Sequence, residues 1–174
     1  GSISGNWQWN GDNLLGFTVG DVNLALYIFE PAGHKPGDKT PAIVFFFGGG
    51  WKNGSYLQFA AQSDYFASRG MVAASADYRI ESIHHTKPDK CVEDAKSAVR
   101  WLRQHASELG IDPGKVVASG GSAGGHIAAC TALFRSSPAV WTSLRCGPGA
   151  RLAFDVSAET LRCTTGLDGG ADVN

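Results

Sequence analysis

Gly120-Gly121-Ser122-Ala123-Gly124 reads Gly-x-Ser-x-Gly and stands between an apolar run, Val116 to Ala118, and a helix-like run, His126 to Phe134. In a strand–turn–helix setting this motif forms a sharp elbow. Small residues let the chain reverse and lift the Ser122 hydroxyl into the open. A serine so placed can attack a carbonyl carbon if a base takes its proton. Turned the other way, the same residues are a glycine-rich turn that caps a helix with serine.

Working upstream, Lys115 to Ser119 is the strand that feeds the elbow. Before it, Val92, Ala95, Val99, Leu102, Ala106 and Leu109 recur at steps of three and four, one apolar stripe of a helix beginning near Asp89. Gly110 and Pro113 end it. Met71 to Ala76 reads as a buried strand that runs into Asp77-Tyr78-Arg79, followed by a polar loop through Pro88. Tyr56 to Ser68 has helical character. Ala42 to Phe47 is a continuous apolar run, the pattern of a strand covered on both faces, and it stops at Gly48-Gly49-Gly50. Leu14 to Val19 and Val22 to Phe29, separated by Gly20-Asp21, read as a hairpin. Strand–helix alternation after a hairpin predicts an α/β fold: a central, mostly parallel sheet with helices on both faces. The second glycine-rich turn, like the first, lies at the C-terminal end of a central strand, the sheet edge where sites form. It lets backbone N–H groups approach a ligand closely, or it serves only a loop that needs positive φ.

These stretches resemble a family. Phe47-Gly48-Gly49-Gly50-Trp51, Asp77-Tyr78-Arg79 and Gly120-Gly121-Ser122-Ala123-Gly124-Gly125-His126 are similar, in order and spacing, to the α/β-hydrolase fold. More narrowly they resemble its hormone-sensitive-lipase-like and acetyl-xylan- or feruloyl-esterase-like carboxylesterases, over about residues 14–134. The resemblance implies a serine esterase that works through an acyl-enzyme on small, acetyl-type esters, among them esters on carbohydrate. It implies Ser122 as nucleophile and the N–H groups of Gly49, Gly50 and Ala123 as the oxyanion hole. Trp51 would flank the acyl or alcohol pocket, or pack in the core. Phe47 stands where the family often has a histidine that braces the glycine loop, and it could brace the loop only by packing.

The remaining triad members are not identifiable. The fold's order is Ser, then Asp or Glu, then His, yet the only histidine after Ser122 is His126, on the helix directly behind the elbow, where a structural role is expected. Asp155, Glu159, Asp168 and Asp172 are the acids of the tail. Asp155 ends the one strand-like run, Arg151 to Val156, but no catalytic acid is named. His84 and His85 fall in the loop after Asp77-Tyr78-Arg79, and His34 and His105 read as surface residues. Asp77 and Arg79 read as a structural pair tying a strand end to nearby loops.

Residues 1–135 are therefore expected to form the N-terminal portion of a hydrolase domain. Residues 136–174 read as an atypical tail, truncated or out of frame and lacking the C-terminal strands of the fold. The last regular strand would then be an uncovered edge, inviting self-association. A catalytically incomplete hydrolase and a binding module that kept the fold stay open as alternatives.

Composition narrows the rest. With 174 residues, 43% hydrophobic and 18% charged, the chain suits one globular domain. A net charge of −1 gives no basic surface for nucleic acid. The longest apolar run is too short to span a bilayer, and no secretory signal is visible, which leaves the compartment open. Four cysteines, Cys91, Cys130, Cys146 and Cys163, lack paired metal-ligand spacing. The first two read as small core residues, and the last two could pair. Gly120 to Gly125 has neither P-loop nor dinucleotide-fingerprint spacing. No cofactor or metal is expected; the partners expected are a small-molecule ester and, through the uncovered edge, a second copy of the chain.

Overall fold

A computed structural model describes residues 14–19, 21–133, 150–155, 160–165 and 171–172, with side chains over 21–132. The strands are β1 (Leu14–Val19), β2 (Val22–Phe29), β3 (Thr40–Phe46), β4 (Val72–Ala76), β5 (Ile111–Gly120), β6 (Ala150–Asp155), β7 (Thr160–Thr165) and β8 (Ala171–Asp172). A 3-10 turn, Tyr56–Phe59, leads directly into α1 (Ala60–Ser68). The other helices are α2 (Glu81–His84), α3 (Pro88–Gln104) and α4 (Ala123–Leu133).

The strands make one sheet in the order β1-β2-β4-β3-β5-β6-β7-β8. Its heart is the four strands β2-β4-β3-β5, where β4–β3 and β3–β5 pair in parallel and β2 joins β4 antiparallel. The β1–β2 hairpin forms in the register that its Gly-Asp link predicts, Val19 opposite Val22. The ladder between β3 and β5 skips from Thr40–Ile111 to Ala42–Val116, so Asp112-Pro113-Gly114-Lys115 bulges out of register. Pro113 has no N–H for a ladder, which suits it to a bulge.

Both faces are covered, as the continuous apolar runs require. Ala42, Val44 and Phe46 turn to the side where α3 and α4 lie, joining Val99, Leu102 and Ile127 in the main core. Ile43, Phe45 and Ala73 turn to the other side and pack with Phe59 and Phe66 of the 3-10 turn and α1. Alternating side chains of one strand thus feed two cores. The apolar stripe of α3 is buried as its spacing predicts, and Pro88 starts the helix where a missing N–H costs nothing.

Three expectations are corrected here. Beyond residue 135 the sequence suggested one strand, whereas β6, β7 and β8 are present. All three pair antiparallel, β6 against β5, so the sheet is mostly parallel only at its heart. The sheet edge lies not at β6 but one strand further out, at β7, which β8 covers only at Arg162 and Cys163 among the described residues. His34, read as a surface residue, has a side chain only 3% exposed. Its Nε2 lies 2.7 Å from the Leu109 carbonyl oxygen, so it pins the β2–β3 loop to the end of the α3 segment. A fold signal carried by hydrophobic period does not report such a loop contact.

Candidate active site

Ser122 has φ +53°, a left-handed conformation uncommon for a residue with a Cβ, and it is exposed. Strand β5 delivers it and α4 leaves from the next residue, Ala123. The Gly124 N–H donates to the Gly121 carbonyl (2.9 Å) and the His126 N–H to the Ser122 carbonyl (3.1 Å), which closes the turn into the helix. The N-terminus of α4, with its partial positive charge, therefore begins beside the serine.

The glycine loop comes directly against this elbow. A Cβ on Gly48 would lie 3.3 Å from the Ser122 Cβ and 2.7 Å from the Gly121 carbonyl oxygen. Gly49, Gly50 and Trp51 follow with φ of +134°, +62° and +62°. The Gly49 carbonyl accepts N–H groups from both Lys52 and Asn53, each at 3.1 Å. In a planar trans peptide the next N–H points opposite to that carbonyl, so the Gly50 N–H is turned away from its own loop. Among the described residues no acceptor is bonded to the N–H groups of Gly49, Gly50 or Ala123.

Phe47 braces the loop by packing and through its backbone. Its ring stacks on Tyr78, centroids 4.1 Å apart, and the buried Tyr78 hydroxyl donates to the Phe47 carbonyl at 2.7 Å. Burial holds the Tyr78 phenol well above its ordinary range, so it remains a donor. Trp51 packs partly buried against the core and meets the His126 ring edge-on at 5.5 Å; its Nε1 is buried with no partner among the described residues. Burial lowers the His126 pKa, which favours neutral imidazole.

Asp77 and Arg79 both tie the end of β4 to its surroundings, each through other partners. The Asp77 N–H donates to the Ala25 carbonyl at 2.8 Å, and burial raises the pKa of its carboxyl group, opposed by the nearby backbone of Tyr56 and Ala25. Arg79 forms a forked pair with Asp94 of α3, Nε to Oδ2 at 2.8 Å and Nη2 to Oδ1 at 2.7 Å, and its own N–H also donates to Asp94. Asp94 is 1% exposed. Sequence reading passed over it because its position on an amphipathic helix looks like any other charged residue. The only earlier sign was that it falls beside the apolar stripe.

The remaining candidates are scattered. Cys91 and Cys130 are free and buried, as their helical positions predict, with thiols pushed up to about 12 and about 11 by burial. The Cys130 sulfur lies 3.8 Å from His126 Nε2, but a raised thiol beside a lowered imidazole is no thiolate–imidazolium pair. His84 accepts the Ile80 N–H on Nδ1 and, with Asp77, lines a cavity of about 250 Å³ behind Phe47; Ser122 is not among its walls. His85 ends α2 in a left-handed conformation, exposed. Asp155 pairs with Val117, and Leu152 with Gly120, so antiparallel β6 carries Asp155 away from the elbow edge, about 10 Å along the strand. Cys146, Glu159 and Asp168 lie outside the described residues, and Cys163 and Asp172 are described in backbone only. Among the residues with described side chains no group of three His, Cys, Asp or Glu could hold a metal, and no helix is long and apolar enough to cross a membrane.

Comparison with known proteins gives this geometry a setting. The profile of the BD-FAE family matches residues 26–148. The chain is 35% identical to esterase LipC of Mycobacterium tuberculosis over 104 residues, 59% of this chain and 25% of that protein. It is 34% identical to carboxylesterase NlhH of the same organism over 97 residues, 55% of this chain and 30% of that one. Among solved structures, a thermophilic esterase from Thermogutta terrifontis superposes with a TM-score of 0.67 at 61% identity, covering 70% of this chain and 44% of that one. That esterase has also been solved with propionate and with butyrate bound. The chain thus spans a quarter to a third of these curated relatives and under half of the solved esterase.

Proposed function

The chain belongs to the BD-FAE (feruloyl/acetyl xylan esterase) family of esterase-like α/β-hydrolases, and on that premise we propose that it hydrolyses carboxylic esters through Ser122. The Ser122 Oγ attacks the ester carbonyl carbon. The oxyanion that forms is held by the N–H groups of Gly49, Gly50 and Ala123, the alcohol leaves, and water hydrolyses the acyl-enzyme. Preorganised N–H donors at a developing oxyanion contribute about 3–4 kcal/mol each in measured cases. The observation that carries the reading is the direct contact of two strained turns: an exposed serine at φ +53° against a glycine loop. The substrate class is small acyl esters, including acetyl-type esters on carbohydrate. It is favoured by the family and by the propionate and butyrate held by the Thermogutta esterase. A fluorophosphonate probe should label Ser122, located by mass spectrometry, and Ser122→Ala should abolish both labelling and acetate-ester turnover. An unlabelled Ser122 in folded protein would sink the proposal.

A second reading is supported by one observation. The only histidine after Ser122 is His126, which sits on α4 against Trp51, and no acid is assigned. Residues 1–135 are then the N-terminal portion of a hydrolase domain that binds esters at Ser122 with no base or acid assigned among them, and 136–174 an atypical tail. Losing a triad member leaves only residual catalysis. Slow labelling without multiple turnovers would favour this reading, and sustained turnover would exclude it.

A further inference from the structure

The short 3-10 turn Tyr56–Phe59 touches both halves of the proposed site, and nothing in the motifs announces it. The Gln58 carboxamide Oε1 accepts the Gly48 N–H at 2.7 Å. A Cβ on Gly48 would lie 3.5 Å from that same oxygen, so Gln58 approaches the glycine loop where it meets the elbow. The next side chain, Phe59, reaches the elbow itself: a Cβ on Gly121 would lie 3.4 Å from the Phe59 Cζ. The turn is anchored from behind. Ser75 of β4 donates its hydroxyl to the Tyr56 carbonyl at 2.5 Å, the Tyr56 ring stacks on Tyr27 at 3.6 Å, and Phe59 stacks on Phe45 at 5.1 Å.

We propose that Gln58 is a positioning residue for the glycine loop, an acceptor carried on an anchored turn that fixes Gly48 so that the Gly49 and Gly50 N–H groups stay presented to Ser122. The inference rests on the esterase reading for its consequence and on its own geometry for the restraint. Gly48 is buried between the β3 end and the elbow, and two of the next three residues are glycines with nothing in their side chains to hold them. Without an acceptor, the Gly48 N–H would be left unsatisfied or would turn to find water, and turning it rotates the peptides that follow. Gln58 touches no reacting atom; its effect passes through the loop.

Two substitutions in the full chain separate the possibilities. Gln58→Met keeps the length of the side chain and removes the acceptor. Gln58→Glu keeps the acceptor and adds a negative charge near the site. Two readouts apply: hydrogen exchange of the Gly48 amide, and the second-order rate at which a fluorophosphonate labels Ser122. Gln58→Met should speed Gly48 exchange at least tenfold and slow labelling about tenfold, with the melting temperature lowered by a few degrees as the buried Gly48 N–H loses its acceptor. Gln58→Glu should keep Gly48 protected, and its labelling should slow as pH rises through the new carboxylate's titration, because a charge there opposes the negative charge that builds on the phosphoryl oxygen in the transition state. Unchanged Gly48 exchange in Gln58→Met overturns the inference, and so does a labelling rate equal to that of a reactive wild type. If the wild type does not label, the esterase reading falls, and Gly48 exchange alone still decides whether Gln58 holds the loop.

Discussion

Gly124, in the first turn of α4, lies so close beneath Phe46 at the end of β3 that a Cβ at 124 would overlap the Phe46 carbonyl oxygen and sit 2.5 Å from that of Phe47. This contact lets the helix behind the serine pack on the strand that carries the glycine loop. Gly124→Ala should therefore destabilise by more than the usual 1–3 kcal/mol of overpacking, about 3 kcal/mol or more, because the obstacle is backbone. Gly50→Ala, at φ +62° with open space around it, should cost only about 1–2 kcal/mol of left-handed strain. Denaturant melts of the two variants check the order; equal losses would contradict the close approach.

Strain at Ser122 should be measurable as a trade of stability for reactivity. Ser122→Gly removes about 1–2 kcal/mol of left-handed strain, offset by about 0.5–1 kcal/mol from the freer unfolded chain. Ser122→Ala keeps the strain. Both variants should lose probe labelling, and the glycine variant should melt a few degrees above the alanine one. A glycine variant melting clearly below the alanine variant would show that the elbow is relaxed.

The Arg79–Asp94 pair joins the end of β4 to α3 with Asp94 fully enclosed. Asp94→Asn should destabilise by about 3 kcal/mol, the low end for breaking a buried pair, since Arg79 retains some exposure and Glu93 lies 3.9 Å away. Replacing both residues by leucine should recover part of that loss. A double variant no better than Asp94→Asn, measured by chemical unfolding, would show that the bidentate contact does more than compensate two buried charges.

Tyr78→Phe leaves the buried Phe47 carbonyl without its donor while keeping the ring stack. A loss of about 1–2 kcal/mol is expected, with slower labelling of Ser122 because the glycine loop begins at the next residue. Equilibrium unfolding and probe kinetics on one preparation would test both, and an unchanged labelling rate would confine Tyr78 to stability.

His126 should leave a pH signature. Burial holds its folded pKa below the usual 6.5, so between that lowered value and about 6.5 the unfolded chain binds more protons than the folded one. Its contribution to stability is intact above about pH 6.5, falls as pH drops through the window, and levels off below the folded value. Wild type should lose melting temperature relative to His126→Gln between pH 7 and 5. Parallel profiles would mean that the imidazole is not penalised by burial.

The apolar runs of β3 and β4, the stripe of α3 and the two glycine-rich turns made the central architecture and the serine's place legible from the sequence alone. Hydrophobic period and turn chemistry are local, and a chain must bury such runs whatever else it does. Tertiary structure alone decided that Arg79 turns to Asp94, that Tyr78 and Gln58 bond to the glycine loop, that the His34 side chain is enclosed, and that β6 joins antiparallel and carries Asp155 away from the elbow. Those outcomes depend on residues far apart in sequence meeting across the fold. A polar side chain carries no local mark of the partner it will find.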